Sequence, residues 1–346
     1  MPFAKARAGL DDGVLGLLLL CLGLGSVVTM PAAGALAARF GCRIVIVVAA
    51  LLMCAALPVL ATAASLPLLI PALLVFGAGM GCLDVTMNIQ AVIVERASAR
   101  PLMSGFHGQF SAGGIAGAAG ATALLAAGAS PLVASLCVVA IALAALAAAA
   151  PHLLPYGSRG AGPAFAIPHG IVLLIGALCF VLFLSEGAVL DWSAVALNAI
   201  QGLDLSHAGL GYAAFALTMT VGRLSGDRIV ARVGRTRIVV LGGIAAAVGF
   251  ITAAFVPAIP IALLGYALVG AGAANIVPVL FSLTGRQKVM PEHIAVPAIT
   301  TLGYAGILVG PAGIGAVAHV AGLPAAFLVL AAMLLAVAAS SRVLRI

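Results

Sequence analysis

The sequence predicts an all-α integral membrane protein built from two pseudo-repeat helical bundles. Three observations carry this reading. The 346 residues are 64% hydrophobic and only 7% charged, whereas soluble domains run near half apolar and a quarter charged. The apolar stretches are long and continuous, which fits helices rather than the short alternating strands of a membrane barrel. Two stretches of the chain, beginning at Gly34 and Gly222, resemble each other 188 residues apart.

Dividing the chain at charges, prolines and glycines places spans near 14–37, 44–64, 68–93, 103–127, 131–150, 169–199, 209–224, 238–256, 260–284, 294–318 and 324–341. That makes about eleven helices, each near the ~20 residues a bilayer requires. Lys5 and Arg7 ahead of the first span superficially fit a signal peptide. Asp11 and Asp12 interrupt that order, however, and the apolar run reaches about Leu36, so the segment reads as a retained helix. The sixth span is long enough to bend or emerge at its far end. In the ninth, Pro278 is placed to bend the helix. The stretch from Pro151 to Pro168 is rich in Pro and Gly and reads as a flexible linker. The expected organisation is therefore a bundle over 1–150, a cytoplasmic linker over 151–168 and a six-helix bundle over 169–346.

Orientation follows from the basic residues. If the spans alternate, all Lys and Arg except Lys5 and Arg7 fall on one side, including Arg39, Arg43, Arg96, Arg100, Arg159, Arg286, Lys288, Arg342 and Arg345. That side is assigned to the cytoplasm. A multi-pass protein of the bacterial inner membrane, with a cytoplasmic C-terminus, is expected. Topology accounts for the net charge of +7, so no nucleic-acid partner is implied. The arginines from Arg223 to Arg237 are read in the same way, with gate pairing to Asp227. The six cysteines are scattered without a CxxC pair and read as small core residues. No catalytic Ser/His/Asp set, Walker-type loop or metal-ligand spacing occurs. No enzyme, cofactor or metal is expected, and energy for active transport would come from a gradient.

The two repeated stretches are "GALAARFGCR" from Gly34 and "GRLSGDRIVARVGRTR" from Gly222. A second correspondence joins "GAGMG" from Gly77 to "GAGAA" from Gly270. Parallel repeats of this kind mark transporters. The loop stretches resemble the major facilitator superfamily motif Gly-x-Leu-x-Asp-Arg-x-Gly-Arg. Gly34, Leu36, Arg39, Gly41 and Arg43 match it, with Ala38 where the motif has aspartate. The second copy keeps Gly222, Asp227, Arg228, Gly234 and Arg235 with a longer turn. The resemblance implies that these residues form gating loops. "GAGMGCLDVTMNIQAVIVE", followed by "RPLMSGFHGQFSAGGIAG", is similar to the fucose-permease-like branch, in which a carboxylate and an Asn four residues later occupy one helix. Asp84 and Asn88 fall on those positions. The superfamily has twelve helices and its motif follows the second. Here it follows the first span, so the first helix is expected to be missing, with Met1 standing where a longer frame continues upstream.

Ionisable groups inside hydrocarbon are costly and mark candidate sites. At 100° per residue, Gly77, Gly81, Asp84 and Asn88 fall within about 60° of one another. This small-to-polar stripe should face other helices. Depth along the helices pairs Asp84 with Ser111 and Asn88 with His107. Asp84 is the leading proton-coupling candidate; the alternative is a structural carboxylate held by Asn88, Ser111 or His107. His107 either relays protons or packs. Glu186 either meets proton or substrate or makes a structural pair. Trp192, the only Trp, is an interfacial anchor or a stacking surface. Asn275 is a cavity candidate in the repeat of the Asp84 helix. Asn88, Ser111, Trp192 and Asn275 form the candidate substrate-binding set, with Gln90 adding polarity to the cavity.

These residues point to a monomeric secondary transporter in the lipid bilayer, moving a small polar solute, with a sugar as one candidate, by proton-coupled alternating access. Proton-driven efflux of amphipathic compounds is the alternative, and a non-transporting scaffold or sensor is a third reading.

Overall fold

The computed structural model describes residues 7–158, 166–204, 207 and 209–344. Lys5, Arg159 and Arg345 of the basic pattern lie outside the described residues. Within them the regular structure is helical: α1 (Asp12–Phe40), α2 (Cys42–Thr62), α3 (Leu66–Ser98), α4 (Met103–Ala126), α5 (Pro131–Ala149), α6 (Gly170–Gln201), α7 (Leu210–Val233), α8 (Arg235–Phe255), α9 (Ile259–Ala273), α10 (Ile276–Thr284), α11 (Glu292–Ala321) and α12 (Leu323–Leu344). α9 and α10 form one interrupted span. Nine spans among the described residues are long and apolar enough to cross a membrane. The other two expected spans are α4 and α7, helices of 24 residues with more polar sequences.

The helix ends follow from local chemistry. Asp11, which broke the signal-peptide pattern, is the N-cap of α1 and accepts from the Val14 N–H at 2.7 Å. Arg7 donates to the carbonyls of Ala63 (2.9 Å) and Leu60 (3.1 Å) at the end of α2. The sixth span is continuous over 32 residues and ends at Gly202 in the left-handed region. The seventh, expected to stop near 224, runs on to Val233. Its true end is Gly234, at φ 88° and ψ 150°, a conformation nearly confined to glycine that costs other residues about 1–3 kcal/mol. Gly41 ends α1 and starts α2 at φ 84°. The two repeated loops therefore share one device, a single glycine joining two helices.

The helix crossings repeat as well. Gly77 and Gly81 of α3 sit against Leu22 and Ser26 of α1 so closely that a Cβ would strike backbone. Ser26 Oγ donates to the Gly77 carbonyl at 2.8 Å. In the second copy Gly270 of α9 meets Phe215 of α7, and Thr218 Oγ1 donates to the Ala267 carbonyl at 2.8 Å. The small half of the Asp84 stripe thus faces another helix, as its composition implies.

The chain forms two compact units. One comprises Met1–Ile93, Gly113–Ile167 and Met290–Thr301; the other comprises Val94–Ala112, Pro168–Val289 and Leu302–Ile346. In the first, Leu18, Ala63, Leu69 and Leu73 form a core. In the second, α9 packs on α7 and α8, and α12 packs on α8. Phe250 and Phe327 meet there edge to face at 5.3 Å. Outward residues such as Leu17, Leu20 and Ile141 are large, apolar and exposed, as a lipid-facing surface requires.

The start of the linker is tied down. Arg43 donates to the carbonyls of Leu153 (3.0 Å) and Pro151 (2.8 Å). The Leu154 N–H donates to Gln90 Oε1 at 3.0 Å. Gln90 therefore fastens the linker to α3, which corrects its assignment as a polar cavity residue.

Candidate functional site

In the first unit, α3 carries the Asp84–Asn88 pair. Asn88 Nδ2 donates to the Asp84 carbonyl at 2.9 Å and lies 3.4 Å from Asp84 Oδ1. Asn88 is buried and Asp84 half-buried. The i, i+4 spacing on a helix brings the two together. They continue the stripe that begins with Gly77 and Gly81, so the carboxyl sits just beyond the α1–α3 crossing.

The second unit holds a constellation centred on Arg223 of α7. Its Nη2 pairs with Glu186 Oε1 of α6 at 2.9 Å. Nη1 donates to Ser111 Oγ of α4 at 3.0 Å, and Nε donates to the Ala274 carbonyl at 3.3 Å. Ser111 Oγ in turn donates to the His107 carbonyl at 3.1 Å. His107 stacks obliquely on Phe281 of α10, with ring centroids 5.6 Å apart. Asn275 Nδ2 donates to the Gly222 carbonyl at 3.1 Å. Ser111, His107, Glu186 and Asn275 are thereby drawn to one locus.

The Ala274 carbonyl is available for a chemical reason. In an unbroken helix it would accept from the N–H of residue 278, and Pro278 has none. The helix accordingly breaks at Ala274–Asn275, between α9 and α10, and the freed carbonyl goes to Arg223. Pro278 interrupts the helix rather than bending it.

Arg223 corrects the sequence reading. The sequence groups it with the basic residues of the cytoplasmic end, because the apolar run of the seventh span stops near 224. Arg223 lies 11 residues before Gly234, about 16 Å inside the helix end at ~1.5 Å per residue. The depth counting applied to Asp84 would have found it, given the true helix end.

Asp227 has a different partner from the one expected. Its Oδ1 accepts from the Ser104 N–H at 3.0 Å and its Oδ2 from the Gly105 N–H at 2.9 Å. Glu95 Oε2 accepts from the N–H groups of Leu102 (2.9 Å) and Met103 (2.8 Å). Two carboxylates thus satisfy the four N–H groups that open α4, where the helix dipole also favours negative charge. Glu95 was missed because its role depends on a turn seven residues downstream.

The remaining loop residues are placed as follows. Gly34 lies against the His293 carbonyl and Pro297. Arg39 is exposed, with its guanidinium 5.1 Å from the Phe40 ring. Arg228 is exposed, Gly222 lies next to Arg223, and Arg235 follows Gly234 at the start of α8. Trp192 packs on Gly315 of α11, and its Nε1 is buried with no hydrogen-bond partner among the described residues.

Repeated apolar helices that keep a carboxyl and an ion pair inside their length define a multi-pass membrane protein with candidate sites within its spans. The chain belongs to the major facilitator superfamily, whose profile matches residues 1–296. It is 52% identical, over 343 residues, to an uncharacterised MFS-type transporter of Yersinia pestis, spanning 99% of this chain and 89% of the relative. The fold is similar to the E. coli fucose:proton symporter FucP, with a TM-score of 0.79, 16% identity, and 99% and 93% of the two chains covered. It is also similar to the human organic anion transporter MFSD10, with a TM-score of 0.77, 17% identity, and 98% and 87% covered. At these identities the likeness is one of fold.

Proposed function

We propose that this transporter is a proton-coupled secondary carrier of a small polar solute, with a sugar as one candidate, working by alternating access of two bundles over 1–150 and 169–346. The observation that carries the reading is the placement of Asp84 and of the Glu186–Arg223 pair within transmembrane helices, where an ionisable group needs a function or a partner. Asp84 loads and releases the proton, with Glu186 and His107 as further titratable groups. Asn88, Ser111, Trp192 and Asn275 meet the solute. The two glycine-jointed loops act as gates. The protein works as a monomer in the bacterial inner membrane, with its C-terminus in the cytoplasm. A neighbour of the same fold is a fucose:proton symporter, which makes a polar solute and a proton the first candidates to test.

The test is uptake into proteoliposomes holding the full-length protein under an imposed pH gradient, across a panel of monosaccharides and amphipathic compounds. Asp84→Asn is expected to abolish proton-driven accumulation while sparing solute exchange at equilibrium. Unchanged accumulation in that variant removes Asp84 from the coupling role. Accumulation of amphipathic compounds alone, in the opposite sense, assigns efflux. No flux of any solute assigns a scaffold or sensor.

A further inference from the structure

We propose that Arg223 receives a carboxylate carried by the transported solute, and that Glu186 is the internal anion with which that solute competes. The inference rests on the transport reading above and narrows its substrate to a small polar monoanion, a sugar acid being the matching chemistry.

The first support is the unequal burial of the ion pair. The Arg223 side chain is 8% exposed and that of Glu186 24%. The cation is fixed deep in the helices by two further hydrogen bonds, to Ser111 and Ala274. The acid is the more reachable member and meets Arg223 through one oxygen, Oε1. An entering group would therefore displace Glu186 and find Arg223 already oriented.

The second support is the shape of the contact. Glu186 uses only the Nη2 prong, while Nη1 is occupied by a neutral hydroxyl. A guanidinium binds a carboxylate best with both prongs in parallel. A solute carboxylate that takes Nη1 and Nη2 together makes a stronger contact than the one it replaces. On α4 and at the α9–α10 break, His107 Nε2 and Asn275 Oδ1 are buried with no hydrogen-bond partner among the described residues, the amide oxygen lying against Gly226. Such atoms normally have partners. A donor or acceptor ring nitrogen and an amide oxygen are the groups that hydroxyls of a polar solute would engage.

Charge balance then links solute to proton. When Glu186 is displaced it takes one proton at its carboxylate, and the solute carboxylate becomes the counter-ion of Arg223. One proton and one monoanion enter together, so the binding step is electroneutral. The other titratable or charged groups on the participating helices are Cys179 and Asp191 on α6, His107 on α4, and Tyr212, Asp227, Arg228 and Arg232 on α7. α9 contributes Tyr266 and α10 has no titratable residue. α8, α11 and α12 carry their charged residues and histidines near their ends, at Arg235, Arg237, Glu292, His293, His319 and Arg342.

The experiment is ligand binding to the detergent-purified full-length protein, read by thermal shift and by proton uptake in weakly buffered solution. The probes are L-lactate, D-gluconate and D-galacturonate, with D-galactose as the neutral match to D-galacturonate. At least one carboxylate should bind saturably, with affinity rising about tenfold per unit fall in pH while Glu186 is charged in the free protein. Arg223→Lys should weaken it at least tenfold, because the ammonium lacks the fork. Glu186→Gln should remove the pH slope. That variant leaves a buried cation without its anion, so the unaltered protein carries an independent readout. The infrared band of a protonated carboxyl should grow on adding the carboxylate, in the wild type and in Asp84→Asn alike. The proposal is overturned if no carboxylate binds, if binding is unchanged in Arg223→Lys, or if the band grows only when Asp84 is present. Proton-driven galactose uptake without carboxylate binding would sink this inference and leave the transport reading standing. Carboxylate binding without proton-driven flux would do the reverse.

Discussion

At the scale of single residues, charges inside the helices are retained only where each has a partner. Removing one member of a buried ion pair typically costs about 3–5 kcal/mol, since the other charge is left without compensation. The two carboxylates at the start of α4 follow the same logic with backbone donors, and they separate two views of Asp227. If its role is to cap α4, Asp227→Asn should lower stability by about 1 kcal/mol, a fall of about 2 °C in the thermal midpoint. Arg228→Gln, at an exposed position, should leave the midpoint unchanged. Equal losses in the two variants would instead support an Asp227–Arg228 gate pair. Asp84 and Asn88 were legible in the sequence because i, i+4 spacing is a local property of a helix. Arg223 and Glu95 were not, because a charge near an apparent span end reads as topology until the helix end is known.

At the scale of elements, one proline organises the charged site. Pro278 cannot donate to the Ala274 carbonyl, the helix opens at Ala274–Asn275, and Arg223 takes the freed oxygen. Pro278→Ala restores the missing N–H, which then competes with Arg223 Nε for that carbonyl. Uptake in proteoliposomes should fall while the thermal midpoint, measured on the same preparation, stays level or rises. Lowered stability with unchanged uptake would show that the break only serves packing. The paired glycine joints belong to this scale too. Gly41 and Gly234 adopt φ 84° and 88°, so the internal repeat first seen as similar letters is also a repeat of backbone geometry. The span that the sequence ended near 224 was misjudged because polar residues within α7 look like a loop. Their partners lie on α4 and α6, which no local pattern reveals.

At the scale of the whole molecule, the distribution of Lys and Arg makes the strongest prediction. Alternating spans put Arg39, Arg96, Arg286 and Arg342 on one side, and Arg7 binds carbonyls at the end of α2, the end away from Arg43. A fluorescent-protein fusion after residue 346 should glow and an alkaline phosphatase fusion there should be inactive; the opposite result would invert the proposed orientation. Hydropathy, the basic-residue pattern and the repeat are properties of the chain read in order, so the sequence alone determined the helical membrane class, the near number of spans and the superfamily. It also placed Asp84 beside Asn88, because one helical turn suffices. Only the tertiary structure decided that Glu186, Ser111 and the Ala274 carbonyl converge on Arg223, and that Asp227 caps a helix more than a hundred residues away. Those contacts join separate helices, and the spacing of residues along the chain does not encode which helix faces meet.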